Sequence, residues 1–258
     1  MIFTITDLFL CRKLKAAQNT FEQSDFFQDF LRTWTRIFEV KKENKKVNKI
    51  ICLGLGNFAQ NPHSVSAQIA SKFQLSFLLA LLKTHSVQGL VFDPVLTKSE
   101  KEILTALGIE SPEKNLEGRY QVDNLTLFYL PHCPKQLTNN ILWANWESLQ
   151  NLVIIGNSFN SCVLHLSKRQ LESVSYLRQA SKFVKGTNFS ILSNSQFFNF
   201  VPFSFAEEII KNNFQYPDVF NNLSLHRFES NLNLNLSKSS DPPKYPETDL
   251  EFIPNGCH

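Results

Sequence analysis

The most apolar segment of this chain, LSFLLALL at residues 75–82, falls far short of the roughly 18–20 residues a membrane-spanning helix needs. No membrane association is expected from it. Cys-x-x-Cys pairs are missing too. The five cysteines (Cys11, Cys52, Cys133, Cys162 and Cys257) are odd in number and widely scattered. That argues against a disulfide framework and a four-thiolate zinc site, and it suits a reducing compartment. Charge of one sign is scarce: the formal net charge is +3, and only KKENKK at 41–46 clusters basic residues. Phosphate binding along a nucleic acid needs a concentrated basic surface. No direct nucleic-acid binding is expected, and the run reads as a solvated linker. The opening MIFTITDLFLCRK lacks a basic n-region, and Asp7 interrupts its apolar stretch, so it is not read as a signal peptide. Asn-x-Ser/Thr triplets at Asn124, Asn188 and Asn222 are read as chance matches in an intracellular chain. There is neither a G-x-x-x-x-G-K-[ST] phosphate loop nor a G-x-S-x-G nucleophile elbow.

What the chain has in excess is phenylalanine, 24 residues of 258, which points to a heavily aromatic core. Hydrophobic residues at 43% and charged residues at 19% fit a globular chain. The length suits one large α/β domain or two small ones. Residues 24–40, SDFFQDFLRTWTRIFEV, predict an amphipathic helix that Ser24 caps, with Phe27, Phe30, Leu31, Trp34, Ile37 and Phe38 on one face. KIICL at 49–53 is a continuous apolar run, as expected of a strand buried on both faces. The order then repeats: a loop at 54–63, a helix at about 64–84, a strand at 89–94, a helix at 97–107 capped by Thr97 or Ser99 and ended by Gly108, a strand through LTLFYL, a helix through KQLTNNILWANW and a strand through NLVIIGNSF. A helix at about 167–183, a short strand at about 188–192, a helix at 204–212 and the alternating LSLHRF follow. Alternating strands and helices imply right-handed βαβ units. The expected fold class is α/β: a Rossmann-like, mostly parallel sheet flanked by helices. Residues 1–46 form an N-terminal helical segment and basic linker, 47–236 the domain, and 237–258 a polar, Pro-rich tail expected to be extended or disordered.

In open parallel sheets, ligands sit outside the carboxyl ends of the strands. The residues there are Gly54, Gly56 and Asn57 after the first strand, Asp93 after the second, His132 and Cys133 after FYL, and Asn157 and Ser158 after VII. Gly54, Gly56 and Ala59 match G-x-G-x-x-G/A, in which backbone without side chains approaches a pyrophosphate or ribose. Asn61-Pro62 intervenes, however, and the helix is expected to start only near Ser64. The loop is either ligand-facing or a glycine-rich turn. Asp93 either accepts from ribose hydroxyls or closes its strand into a turn with Pro94. In PHCP, Pro131 and Pro134 bracket His132 and Cys133. A base could activate the thiol, or the pair could offer ligands to a metal or a thiolate to haem iron; a rigid turn with a buried thiol is the other reading. His226 and Cys162 are weak further metal candidates. Trp143 and Trp146 share a helix face, as core or as a stacking platform.

The stretches CLGLGNF, QLSFLLALL, VFDPVLTKSE, LGIESPEKNLEG, FYLPHCPKQLTNNILWANW, VIIGNSF and FNNLSLHRF, with DLEFIPN near the end, resemble in order and spacing the Sensitivity-to-Red-Light-Reduced family of SRR-like domain proteins. The resemblance covers about residues 24–255 and lies nearest the animal members. It implies a cytoplasmic and nuclear regulatory protein tied to circadian-clock input and clock-gene expression, to light signalling in plants, to microtubule-related phenotypes in yeast and to haem biosynthesis in animals. It also implies a Rossmann-like domain similar to methyltransferases, without an established catalytic residue. Related sequences often carry Asp where this chain has Asn222.

Three readings follow. One is a regulatory protein that binds an unknown small ligand or regulatory protein without turnover. Another is a nucleotide-cofactor enzyme, such as an S-adenosylmethionine-dependent transferase, resting on Gly54, Gly56 and Asp93. The last is haem or iron sensing through His132 and Cys133.

Overall fold

The apolar runs at 49–53, 88–92, 126–129 and 152–157 pair side by side in one sheet, as segments rich in β-branched and aromatic residues do when both faces are covered. The computed structural model describes residues 5–39, 46–59, 64–182, 205–229 and 237–245. Its strands are β1 (Lys49–Leu53), β2 (Gln88–Phe92), β3 (Ile109–Glu110), β4 (Thr126–Tyr129), β5 (Leu152–Asn157), β6 (Phe205–Ile209) and β7 (Leu223–Phe228), in the spatial order β3-β2-β1-β4-β5-β7-β6. β1 to β5 run parallel. β7 enters antiparallel between β5 and β6, pairing Ile154 with His226 and Glu207 with His226 from its two sides. The order reverses between β1 and β4, which is where such sheets place their crevice.

The helices are α1 (Ile5–Glu22), α2 (Asp25–Glu39), α3 (Val65–His85), α4 (Lys98–Ala106), α5 (Lys135–Ala144), α6 (Phe159–Val163), α7 (Lys168–Ser173) and α8 (Ser175–Ser181). Their starts follow sequence signals. The Ser24 hydroxyl accepts from Phe27 N at 3.3 Å, Ser64 caps α3 through Ala67 N at 3.1 Å, and Thr97 and Glu100 form a reciprocal capping box on α4. By length and composition alone α3, 21 residues with a mean hydropathy of 1.4 over its most apolar window, could cross a membrane. Half of its most apolar window is buried inside this fold.

Two apolar cores lie on the two faces of the sheet. One holds residues of α1 to α4 and the 210–225 stretch; the other holds α5, α8, Phe159 and Phe228. The phenylalanine excess concentrates in the first. Phe26 stacks on Phe220 at 4.5 Å, and Phe30 meets Phe77 edge-on at 4.9 Å, spacings at which aromatic pairs attract beyond their buried area.

Three expectations need correcting. Residues 205–209, expected within a helix, form strand β6. Ala-Glu-Glu-Ile favours a helix locally, but the open edge of β7 supplies backbone partners, and tertiary pairing overrides propensity. The helix at 167–183 is two helices, broken at Val174 with φ −115 and ψ 46; the β-branched residue between Ser173 and Ser175 weakens helix there. The described part of the tail, residues 237–245, has neither helix nor strand but is docked. The Tyr245 hydroxyl accepts from Asn139 Nδ2 at 2.9 Å and donates to Asn140 Oδ1 at 2.7 Å, and Trp143 Nε1 donates to the Ser239 carbonyl at 3.0 Å. The strand expected at 188–192, most of KKENKK, and Asn61-Pro62 lie outside the described residues.

Candidate functional site

The first glycine loop leaves β1 through two left-handed residues, Gly54 (φ +68) and Gly56 (φ +73). A side chain would be strained at either, and it would also collide. A Cβ on Gly54 would lie 2.5 Å from Cys133 Sγ, and one on Gly56 would lie 2.6 Å from Ser71 Oγ. The space above Gly54 is therefore filled by the Cys133 thiol, which donates to the Leu53 carbonyl at 2.9 Å. Burial, and then the charge of Asp93, push that thiol well above its ordinary pKa. Cys133 is a protonated donor that plugs the β1/β4 switch point.

Asp93 reaches back into the same loop. Its carboxylate accepts from Gly56 N at 2.8 Å and from Val95 N at 3.0 Å. Desolvation raises its pKa despite these two bonds. Asn57 Nδ2 donates to the Val95 carbonyl at 2.6 Å and to Glu100 Oε2 at 2.9 Å, while Glu100 Oε1 accepts from Ala59 N at 2.8 Å. Asp93 and the fully buried Glu100 thus fasten the glycine loop to the segment after β2. Asp93 is buried and turns one lone pair of each oxygen to backbone, which limits its reach to a ribose, and a pyrophosphate would need the space Cys133 fills. The residues fit an S-adenosylmethionine-type cofactor poorly in this arrangement. A haem thiolate would likewise require Cys133 to give up both its proton and the Leu53 carbonyl.

Open volume appears one strand further along. A cleft of about 710 Å³ opens where the carboxyl ends of β4 and β5 meet the amino end of β7, lined by His132, Cys133, Lys135, Asn157, Cys162 and Asn222 among others. His132 is left-handed (φ +53), and its Nε2–H donates to the Val219 carbonyl at 3.0 Å. Asn157 Nδ2 donates to the Cys133 carbonyl at 3.2 Å. Asn222 is left-handed too (φ +56), and its carbonyl accepts from Ser158 N at 3.3 Å. Two of the four left-handed non-glycine residues among the described residues line this cleft.

Behind the cleft, Ser158 caps α6 by accepting from Ser161 N at 3.4 Å and hydrogen-bonds Glu207. Glu207 lies 3.5 Å from His226 Nε2, and both side chains are buried. His226 donates through Nδ1 to the Ile154 carbonyl at 3.1 Å and stacks on Phe159 at 3.9 Å. Burial alone would raise the Glu207 carboxyl; His226, Ser158 and Phe159 N together hold it below its ordinary value. Among the described residues, no group of three or more His, Cys, Asp or Glu side chains could hold a metal. His226 belongs to this buried pair and does not line the cleft with His132 and Cys133.

Of the eight residues expected at the strand ends, His132, Cys133 and Asn157 line the cleft, and Ser158 starts the helix behind it. Gly54 touches it through Cys133. Gly56, Asn57 and Asp93 instead lock a loop. Sequence reasoning missed Lys135, Asn221 and Glu207 as site elements; the Asn-Asn pair before LSLHRF was a turn signal that could have placed Asn221 and Asn222 there.

An SRR1 domain family model matches residues 17–227. The chain belongs to the SRR1 family. An SRR1-like protein of Drosophila melanogaster is 30% identical over 209 residues, covering 80% of this chain and 63% of the relative. An SRR1-like protein of Mus musculus is 36% identical over 148 residues, 55% of this chain and 57% of its own length. The Arabidopsis thaliana protein SENSITIVITY TO RED LIGHT REDUCED 1 is 30% identical over 161 residues, 58% and 56% respectively. The chain thus spans somewhat over half the length of the curated SRR1 relatives it matches. No solved structure matches. The SRR1 match takes in α2, β1 to β6, β7 up to Arg227 and the described lining of the cleft, together with the last residues of α1.

Proposed function

We propose that this SRR1-family chain is a regulatory protein, cytoplasmic and nuclear, that serves circadian-clock input and haem biosynthesis by binding a small ligand or a protein partner in the cleft over β4, β5 and β7. The observation that carries the reading is the convergence of polar side chains from separate segments — the PHCP turn, the start of α5, the end of β5, α6 and the Asn221-Asn222 turn — on one open cleft. Loop-borne polar groups held by a rigid sheet are the usual form of a recognition site. The name of the Arabidopsis relative, for reduced sensitivity to red light, agrees with a signalling role. The test is a cell line whose own copy is removed. Ser161→Trp, at an exposed position of the lining, fills the cleft without entering the core. It should fold normally by circular dichroism yet fail to restore reporter rhythm and haem-precursor levels. Full rescue by Ser161→Trp would sink the proposal.

A methyltransferase-type enzyme is the second reading, favoured by the strand order 3-2-1-4-5-7-6 with a reversed seventh strand. It requires the Cys133 plug to move. S-adenosylmethionine should then raise the melting temperature, by roughly 2.7 kcal/mol of stability at 100 times its dissociation constant, and should do so more in Cys133→Ala. No shift in either protein removes it.

A further inference from the structure

The hydrogen-bond bookkeeping of the cleft selects a ligand class. This inference rests on the cleft reading above and deepens it. Among the described residues, Lys135 lines the cleft, no carboxylate does so, and Lys135 has no ion pair. A described lining whose formal charge is one unpaired ammonium favours an anion.

The neutral groups point to the rest of the ligand. The Val219 carbonyl can only accept, so His132 must carry its proton on Nε2. In the neutral ring this leaves Nδ1 as a lone-pair acceptor. Asn157 gives one of its two amide hydrogens to the Cys133 carbonyl, which fixes the orientation of the amide and leaves Oδ1 as an acceptor. Neither Nδ1 nor Oδ1 has a hydrogen-bond partner among the described residues. His132 is exposed and Asn157 half-buried, so both are reachable. Acceptors fixed in this way bind donors, which on a small anion are hydroxyl or N–H groups, and the hydroxyl-rich case is the one taken here. Asn221 and Asn222, both exposed on the facing turn, offer amides that can serve either end. The volume suits a ligand of that size, since small-molecule sites run to about 300–1,000 Å³.

We infer that the cleft binds a small hydroxylated anion of the sugar-phosphate class: its phosphate on Lys135, its hydroxyl groups on His132 Nδ1 and Asn157 Oδ1, and the Asn221-Asn222 turn closing over it. The same chemistry comes from a free sugar phosphate or from the ribose-phosphate of a nucleotide.

The purified full chain is titrated calorimetrically with ribose 5-phosphate, AMP, ribose and inorganic phosphate. Ribose 5-phosphate or AMP should bind more tightly than ribose or phosphate alone, and binding should weaken with added salt. Tighter binding of AMP assigns the source to a nucleotide; tighter binding of ribose 5-phosphate assigns it to a free sugar phosphate. Lys135→Met should weaken the better ligand at least about tenfold, the loss expected for one charge-assisted contact, and Lys135→Arg should restore most of it. Melting curves of both variants check folding. The inference is overturned if neither sugar phosphate binds more tightly than its separate parts, or if Lys135→Met binds as the parent does. Should that happen while Ser161→Trp still fails in cells, the ligand class falls and the cleft reading stands.

Discussion

Gly54→Ala tests the plugged switch point quantitatively. The residue has φ +68, and an alanine held there costs roughly 1–2 kcal/mol in backbone strain. The new Cβ also meets Cys133 Sγ at 2.5 Å. The thiol cannot swing away freely, because it is buried and bonded to the Leu53 carbonyl. Overpacking of this kind adds about 1–3 kcal/mol, so Gly54→Ala alone should destabilise by about 2–5 kcal/mol. Cys133→Ala alone loses the thiol bond and a small volume, about 1–2 kcal/mol. In the double variant the added methyl faces only the β-carbon of residue 133, at 3.9 Å, an ordinary contact. The collision vanishes, leaving the backbone strain and the lost thiol bond. A double-mutant cycle by urea unfolding, followed by far-UV circular dichroism, should therefore show the pair to be less destabilised than the sum by about 1–3 kcal/mol. Additivity within about 0.5 kcal/mol would refute the claim that the Cys133 thiol occupies the space over Gly54.

Two further outcomes follow from the geometry. Asp93 has a folded pKa raised by burial, so the unfolded chain releases this proton at lower pH than the folded one. Stability should fall as pH rises from the ordinary carboxylate value to the raised one and then level off; the stability gap between parent and Asp93→Asn should narrow through that window, and a gap independent of pH would contradict the assignment. Tyr245→Phe removes a hydroxyl bonded to Asn139 and Asn140 and should lower stability by about 1–3 kcal/mol while speeding protease cleavage within residues 237–245. Unchanged cleavage would mean that this hydroxyl does not hold the segment down.

The sequence made the parallel strands legible because burial on both faces leaves a signature that needs no partner to read: IICL in β1 and LVII in β5 are unbroken apolar runs. The cap Ser24 and the helix start near Ser64 were legible for the same local reason, and Thr97 was one of two candidates for the cap of α4. β6 was not, since its helical composition is overruled by an edge that exists only once β7 is placed. The site divided along the same line. Which residues follow each strand is local, and His132, Cys133 and Asn157 came out of it. What they do depends on partners far along the chain. Asp93 is committed to Gly56, 37 residues away, and Cys133 to Leu53, 80 residues away. The direction of β7 carries no local signal, yet it sets the cleft beside β5 and not at the switch point.

The phenylalanine cluster has a practical meaning for anyone who would shorten this protein. Phe21 and Phe26 sit at the join of α1 and α2, and their rings lie within 6.0 Å of Phe77, Phe214 and Phe220. The two helices are a wall of the sheet's own core, not an appendage tethered by KKENKK. A fragment cut at the basic run would look tidy on paper and keep every described strand. It would present three bare aromatic rings to water, next to the backbone that leads into the cleft through Val219 and Asn221, and it would be expected to associate through them.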